Sequence, residues 1–440
     1  MKAAGTSFLL LLLALLATSS MQAQTAEWDS LNAQSMSLYD KGEYDGAVAV
    51  ARRALEISEA ANPPQQRNVA TSLHNLASYY FVQGRYAEAE PMYRRALTIR
   101  ESVLGSNDSN VASTLDNLAA LYNAQGRFSE VEPLYMRSLA IREKIFGPNN
   151  PAVATTLNNL AFFYYTRGKY AESESLTMQA LKIREATLGP DDPALATTIN
   201  NLASLYHARG EFARAEPLYR RALAMREKSL GEDHPDVASS LSNLAAVCLA
   251  LGRTAEIEPL LKRAVEIQEK RLGPDHPDLA TSLNNLAAFL YMQQRYEQAE
   301  PYLRLALEIR EKALGPDHPD VAATMGNLAA LYHDLGEDDR VEPLLKRALA
   351  INEKALGRNH PDVARSLTSL AEYYRVRSRY MLAEPLFKRA VAIWEKSPGT
   401  GHPDMANTLE KMAMLYRAMD RHDEAEKMEK RATAIRAVTR

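Results

Sequence analysis

The sequence predicts an all-α solenoid of about ten helix-turn-helix repeats, and three observations carry that prediction. A Leu-Gly or Phe-Gly junction returns every 42 residues, at Gly105, Gly147, Gly189, Gly231, Gly273, Gly315 and Gly357, with no insertion or deletion in the register. Each repeat holds two apolar stripes at helical spacing, as at Leu73, Leu76, Ala77 and Tyr80 and then at Ala89, Tyr93, Ala96 and Leu97. Between the stripes stands a turn residue, Gly84 and its counterparts further on. A fixed period of this size marks a stacked array in which each repeat buries its apolar face against its neighbours.

Composition narrows the class. With 46% hydrophobic and 24% charged residues the chain is too apolar to be disordered. A register that runs nearly end to end favours one elongated domain over several ordinary ones. The net charge of -3 argues against nucleic acid as a partner, which calls for a surplus of Lys and Arg. The single cysteine, Cys248, excludes an internal disulfide framework and a multi-thiolate zinc site. It stands in register with Tyr206 and Tyr332, so it is expected as a small buried apolar side chain.

Residues 1–23 differ in kind. Lys2 precedes an apolar run from Phe8 to Ala17, too short to span a bilayer, which takes about 20 residues. The run suits the core of a secretory signal peptide with cleavage after Ala23. Export to a periplasm or the extracellular space is expected, with no membrane insertion after signal removal. An uncleaved membrane tether is the alternative.

The solenoid is expected over residues 26–440. Its first repeat, from about Trp28 to Asn62, is degenerate in its opening half, with Gln34 where Leu76 aligns, as befits a cap. In later repeats a Pro-Asp pair such as Pro277-Asp278 opens the first helix, where proline loses no hydrogen bond. The second helix ends at Gly105-like residues suited to a left-handed cap. Seven second helices carry an early proline: Pro91, Pro133, Pro217, Pro259, Pro301, Pro343 and Pro385. Where Tyr93, Tyr135 and Tyr219 pack, the last repeat has Glu429, so the array is expected to end at about Arg440.

Small residues at the helix crossing (Ala77, Ala89, Ala96), aromatics at Tyr80 and Tyr93 and the glycine at Gly84 resemble the tetratricopeptide repeat. The 42-residue period and the phrases LGPDHPD, NNLA and AEPLYRRAL are similar to the variant of kinesin light chains and many bacterial repeat proteins. The resemblance implies a right-handed α-solenoid whose first helices line a concave groove that holds peptides or partner helices. A motor role is not implied, because the heptad-rich segment that pairs with a motor chain is missing.

Seven successive repeats place asparagine at one position of the first helix: Asn75, Asn117, Asn159, Asn201, Asn243, Asn285 and Asn327. At 100° per residue this position falls opposite the packing stripe and faces the groove. A carboxamide supplies donors and an acceptor that match the alternating N–H and C=O groups of an extended peptide. In the resembling family this asparagine contacts bound peptide backbone. Alternatively, each asparagine ties its helix to the next with no ligand involved. Nearby positions vary, as at Asn158, Asn200, Asn284, Phe162, His207, Tyr291, His333 and Arg375, which is where selectivity would lie. Ser369 and Lys411 break the asparagine series, and Arg365, Arg375 and Arg417 make that end attractive to an acidic ligand.

His234, His276, His318, His360 and His402 recur in HPD triplets. Equivalent residues of adjacent repeats sit on helices about 10 Å apart, too far to share a zinc ion whose ligands lie about 2 Å from it. Helix-start chemistry is expected of them instead. No nucleophile elbow, phosphate-binding loop or zinc-helix motif is present, so neither catalytic residues nor cofactor or metal ligands are expected. The expected function is non-enzymatic binding of a peptide or partner protein. The competing expectation is a structural adaptor that assembles through its outer surface or ends.

Overall fold

In the computed structural model the described residues are 22–61, 63–396 and 403–438, and among them the chain is helical without a strand. The apolar run Phe8–Ala17 and His402 lie outside the described residues. The chain divides after Leu121 into two compact units. The first contains α1 (residues 22–40), α2 (Tyr44–Ala60), α3 (Gln66–Val82), α4 (Tyr86–Leu104) and most of α5 (Ser109–Ala124). The second continues with α6 (Phe128–Phe146), α7 (Pro151–Thr166), α8 (Tyr170–Thr187), α9 (Pro193–Ala208), α10 (Phe212–Leu230), α11 (Pro235–Ala250) and α12 (Thr254–Leu272). It then runs through α13 (Pro277–Met292), α14 (Tyr296–Leu314), α15 (Pro319–Asp334), α16 (Val341–Leu356), α17 (Pro361–Val376), α18 (Tyr380–Lys396), α19 (Pro403–Ala418) and α20 (His422–Val438). Odd and even helices alternate as the first and second members of successive pairs.

Local chemistry sets the helix ends. His234, His276, His318 and His360 are N-caps whose side chains accept from the backbone N–H of Asp236, Asp278, Asp320 and Asp362, and proline takes the first turn. Asn150 and Asp192 do the same for α7 and α9. The even helices stop differently from the expected left-handed cap. Gly105 has φ 87° and ψ 156°, a combination open to glycine and to almost nothing else. Gly189 is an exception, because α8 already ends at Thr187 and Leu188 caps it with φ -111°. The early prolines lie inside their helices, Pro91 in α4 and Pro133 in α6, whereas Pro343 follows a 3-10 turn at Asp338–Arg340.

Packing follows the two stripes. In the first unit Leu73, Leu76, Ala77 and Tyr80 of α3 are buried with Ala89, Tyr93 and Ala96 of α4. In the second, Leu202, Ala203 and Tyr206 of α9 belong to one cluster with Ala215, Tyr219 and Ala222 of α10. Burying a leucine of this kind contributes about 1.5–3 kcal/mol. Alanines at the crossings let the helices approach closely. Within the second unit the odd helices also touch one another, α7 with α9, α9 with α11, α11 with α13 and α13 with α15. They form a continuous layer in this unit, and Asn159, Asn201, Asn243, Asn285 and Asn327 lie on its helices.

Candidate functional site

The seven amides share a register but differ in their bonding. The Asn75 amide donates to Asn32 Oδ1 at 2.8 Å, Asn243 to Asn200 Oδ1 at 3.0 Å and Asn327 to Asn284 Oδ1 at 2.8 Å. Each bond spans 43 residues, from one odd helix to the residue just before the equivalent place on the preceding odd helix. Asn117 engages His74 in the same register. Asn159, Asn201 and Asn285, half-buried on α7, α9 and α13, make no hydrogen bond with the described residues. The place that Asn200 holds facing Asn243 is taken, for Asn285, by Ser242, whose side chain is shorter.

In the first unit His74 closes the link. Arg100 Nη1 lies 3.2 Å from its Nδ1, and the Asn117 amide 3.2 Å from its Nε2. A guanidinium only donates, so Nδ1 accepts, the ring proton sits on Nε2, and Asn117 must offer its oxygen to it. Burial, and then the charge of Arg100, push the His74 pKa down to about 3.

The link at Asn201 is open because Asn158 is turned elsewhere. A buried arginine series accounts for this, and the sequence reading missed it. Arg100, Arg142, Arg184, Arg226 and Arg310, near the ends of even helices, are buried and donate to hydroxyls 14 residues on: Thr114, Thr156, Thr198, Ser240 and Thr324. The signal was a recurrent arginine in register with a recurrent Thr or Ser. Burial lowers the pKa of Arg184, with Asp192 opposing the shift. Thr198 Oγ1 accepts from Arg184 at 2.6 Å and gives its own proton to the Ala194 carbonyl at 3.2 Å. It can therefore only accept again, and the Asn158 amide N–H donates to it at 2.9 Å. That fixes the orientation of the Asn158 carboxamide. Its Oδ1 is buried and has no hydrogen-bond partner among the described residues, although the residue is only 7% exposed. An acceptor so enclosed costs about 1–3 kcal/mol if left unsatisfied.

Asn158 lines a cavity of about 210 Å³ between α7, α8 and α9, together with Phe162, Tyr165, Thr177, Asn201 and Ser204. The cavity thus joins an open amide of the series to an acceptor in need of a donor. Phe162 stands at its edge, 58% exposed, its ring stacked on Tyr165 with centroids 6.1 Å apart.

The tetratricopeptide repeat family pattern matches residues 29–102, 68–144, 152–228, 196–270, 236–288, 278–354 and 362–437. The chain belongs to the tetratricopeptide repeat family. Among solved structures it is similar to a putative kinesin light chain with nearly identical TPR-like repeats from Podosopora anserina, with 29% identity over 47% of this chain and 98% of that one, at a TM-score of 0.40. It is also similar to BtubC (BKLC) from P. vanneervenii, at 28% identity over 53% and 92% and a TM-score of 0.44. A Rap protein complexed with Competence and Sporulation Factor covers 94% of this chain and 99% of its own, with a TM-score of 0.53. Its 13% identity speaks for the fold alone. No curated protein matches the chain. Tetratricopeptide repeats typically serve as protein interaction scaffolds, and such families are generally non-enzymatic.

The remaining polar groups of this tetratricopeptide chain are mostly engaged. The N-cap histidines use Nδ1 to accept from their own helices, at 3.0–3.2 Å. Cys248 is a free thiol, fully buried, and Arg253 donates to its sulfur at 3.5 Å. The arginines expected to draw an acidic ligand are instead paired within the protein: Arg365 with Asp362 and Asp404, Arg375 with Glu372, and Arg417 with Glu429. That last pair, two contacts of 2.8 Å, is also why a carboxylate is tolerated in the register of Tyr93. Tyr291 donates to Asp334, and His333 lies 3.4 Å from Asp338. Among the described residues no helix is long and apolar enough to cross a membrane.

Proposed function

We propose that this chain is a non-enzymatic scaffold that holds an extended segment of a partner protein along the layer of odd helices, gripped through Asn159, Asn201 and Asn285. The observation that carries this reading is the split within the asparagine series. Four amides tie helices together, whereas these three, on α7, α9 and α13, keep their donors and acceptors for something else. A peptide backbone offers alternating groups of the matching kind without regard to its sequence. The four engaged amides favour the architectural alternative, in which the series only aligns the stack. The apolar run from Phe8 to Ala17 supports placing the activity outside the cytoplasm, and N-terminal sequencing of the mature chain, expected to begin near Gln24, tests that.

Random peptides displayed on phage and selected on the immobilised full chain separate the two readings. Selected peptides are expected to lose at least tenfold in affinity for the triple variant Asn159→Ala, Asn201→Ala, Asn285→Ala. Peptides that bind wild type and a folded triple variant alike would leave only the architectural role.

A further inference from the structure

The cavity beside Asn158 arises from an exchange of side chains confined to the fourth repeat. At 42-residue steps one even-helix position reads Tyr93, Tyr135, Thr177, Tyr219, Leu261, Leu303. The odd-helix position 15 residues earlier reads Ser78, Ala120, Phe162, Ser204, Ala246, Ala288. The fourth repeat is therefore small where its neighbours are large, and large where they are small. Volume would be conserved if Phe162 turned inward, but it stands out into solvent, and the space over the buried Thr177 stays open.

Neighbouring repeats show what fits that space. The Tyr93 hydroxyl lies 2.8 Å from Ser78 Oγ and also hydrogen-bonds Asn117, while Tyr219 donates to Ser204 at 3.0 Å. Both rings are buried, and burial pushes both phenols up to about 12, so the space holds a neutral ring. Asn201 follows Thr177 by the 24 residues that separate Asn117 from Tyr93. Its amide is open where a phenol hydroxyl is missing.

We propose that this cavity is a subsite for a phenol, the side chain of a tyrosine in the bound segment. The ring occupies the volume that Tyr93 and Tyr219 fill from within the chain. The hydroxyl donates to Asn158 Oδ1 and accepts from the Asn201 amide, which gives the enclosed oxygen its missing partner. No charged side chain lines the cavity, so a carboxylate or ammonium entering it would lose hydration without compensation. Its size is sufficient, since a dry cavity of about 150 Å³ takes up benzene. Phe162 and Tyr165 supply the aromatic wall. The role of the bound segment rests on the scaffold reading above, whereas the cavity can be tested without it.

The test titrates 4-methylphenol, and toluene as its hydroxyl-free counterpart, into the full chain and follows binding by calorimetry. Saturable binding of 4-methylphenol is expected, with toluene at least tenfold weaker. Thr177→Tyr, which restores the side chain of the neighbouring repeats, is expected to abolish binding and raise the melting temperature. Thr177→Leu fills the space in the manner of Leu261 and serves if the tyrosine variant does not fold. Failure of wild type to saturate, or equal binding by wild type and a folded filled variant, overturns the proposal. The failures are distinguishable. Selected peptides that need the amides but ignore Thr177→Tyr leave the scaffold reading standing and remove the subsite. Binding of 4-methylphenol as described, with peptides indifferent to the amides, keeps the phenol site and removes the scaffold grip.

Discussion

The amides of α3 and α5 and those of α7 and α9 stand at one register, yet the first pair is bonded within the first unit and the second pair is open. The asparagines are identical, so the cause lies in their neighbours. Asn32 presents an acceptor to Asn75 and His74 a ring N–H to Asn117, whereas Asn158, at the corresponding place for Asn201, is drawn down to Thr198. A repeated residue thus takes its role from the residue that faces it. The same series can align a stack at one end and remain available for a ligand further along.

The largest expected effect of breaking this contrast comes from acid. The pKa of His74 is held near 3 in the fold, chiefly by burial, against 6.5 in its ordinary state. The unfolded chain therefore takes up the proton first, so this stability is complete above pH 6.5 and is lost as pH falls towards 3, reaching on the order of a few kcal/mol. Protonation would set an Nδ1–H against the Arg100 guanidinium, break that contact and push the ring away from its place beside Asn117. Protection against amide hydrogen exchange in α3 and α5, taken relative to the intrinsic rate at each pH, is expected to fall between pH 7 and pH 4.5 in wild type and much less in His74→Asn. An equal response in the two proteins would show that the histidine does not close the link.

Much of the fold is legible in the sequence because it rests on local rules. The 42-residue register, the two stripes and caps such as His234 depend on residues close in sequence or on strict periodicity. The site is only half legible. Asn158 and Asn200 are the same residue in the same register, and each has a hydroxyl 40 residues on, Thr198 or Ser240, and an asparagine 43 residues on, Asn201 or Asn243. One turns to the hydroxyl and the other to the amide, a rotamer choice between hydrogen bonds of similar worth. Likewise the exchange at 162 and 177 can be read from the sequence, but the outward turn of Phe162 cannot. Glu429, expected at an unpacked end, pairs with Arg417 and keeps its side chain partly exposed, and that partner is not legible from the register alone.

A smaller effect separates the two kinds of amide directly. Asn117→Ala removes the partner of an enclosed imidazole and is expected to cost about 1 kcal/mol, whereas Asn201→Ala removes no bond within the protein and should stay within about 0.5 kcal/mol of wild type. Urea unfolding of the two single variants under one set of conditions measures this. Equal losses would mean that the amides are bonded alike and that the contrast between the regions is not present in solution.

The smallest change in stability is expected where the chemistry is most exposed to test. Asn158→Leu removes one donor to Thr198, which still accepts from Arg184 and still gives its proton to Ala194. It also removes the buried oxygen that has no partner. Loss of a hydrogen bond and loss of an unsatisfied acceptor have opposite signs and similar size, so the net change should lie within about 1 kcal/mol of zero. Binding should respond differently, because the phenol hydroxyl loses its acceptor while the ring keeps its space. 4-Methylphenol is then expected to bind the variant no better than toluene does. A large drop in stability would instead show that the Asn158 oxygen is satisfied in solution, and that α7 and α9 resemble α3 and α5 more closely than their hydrogen bonds indicate.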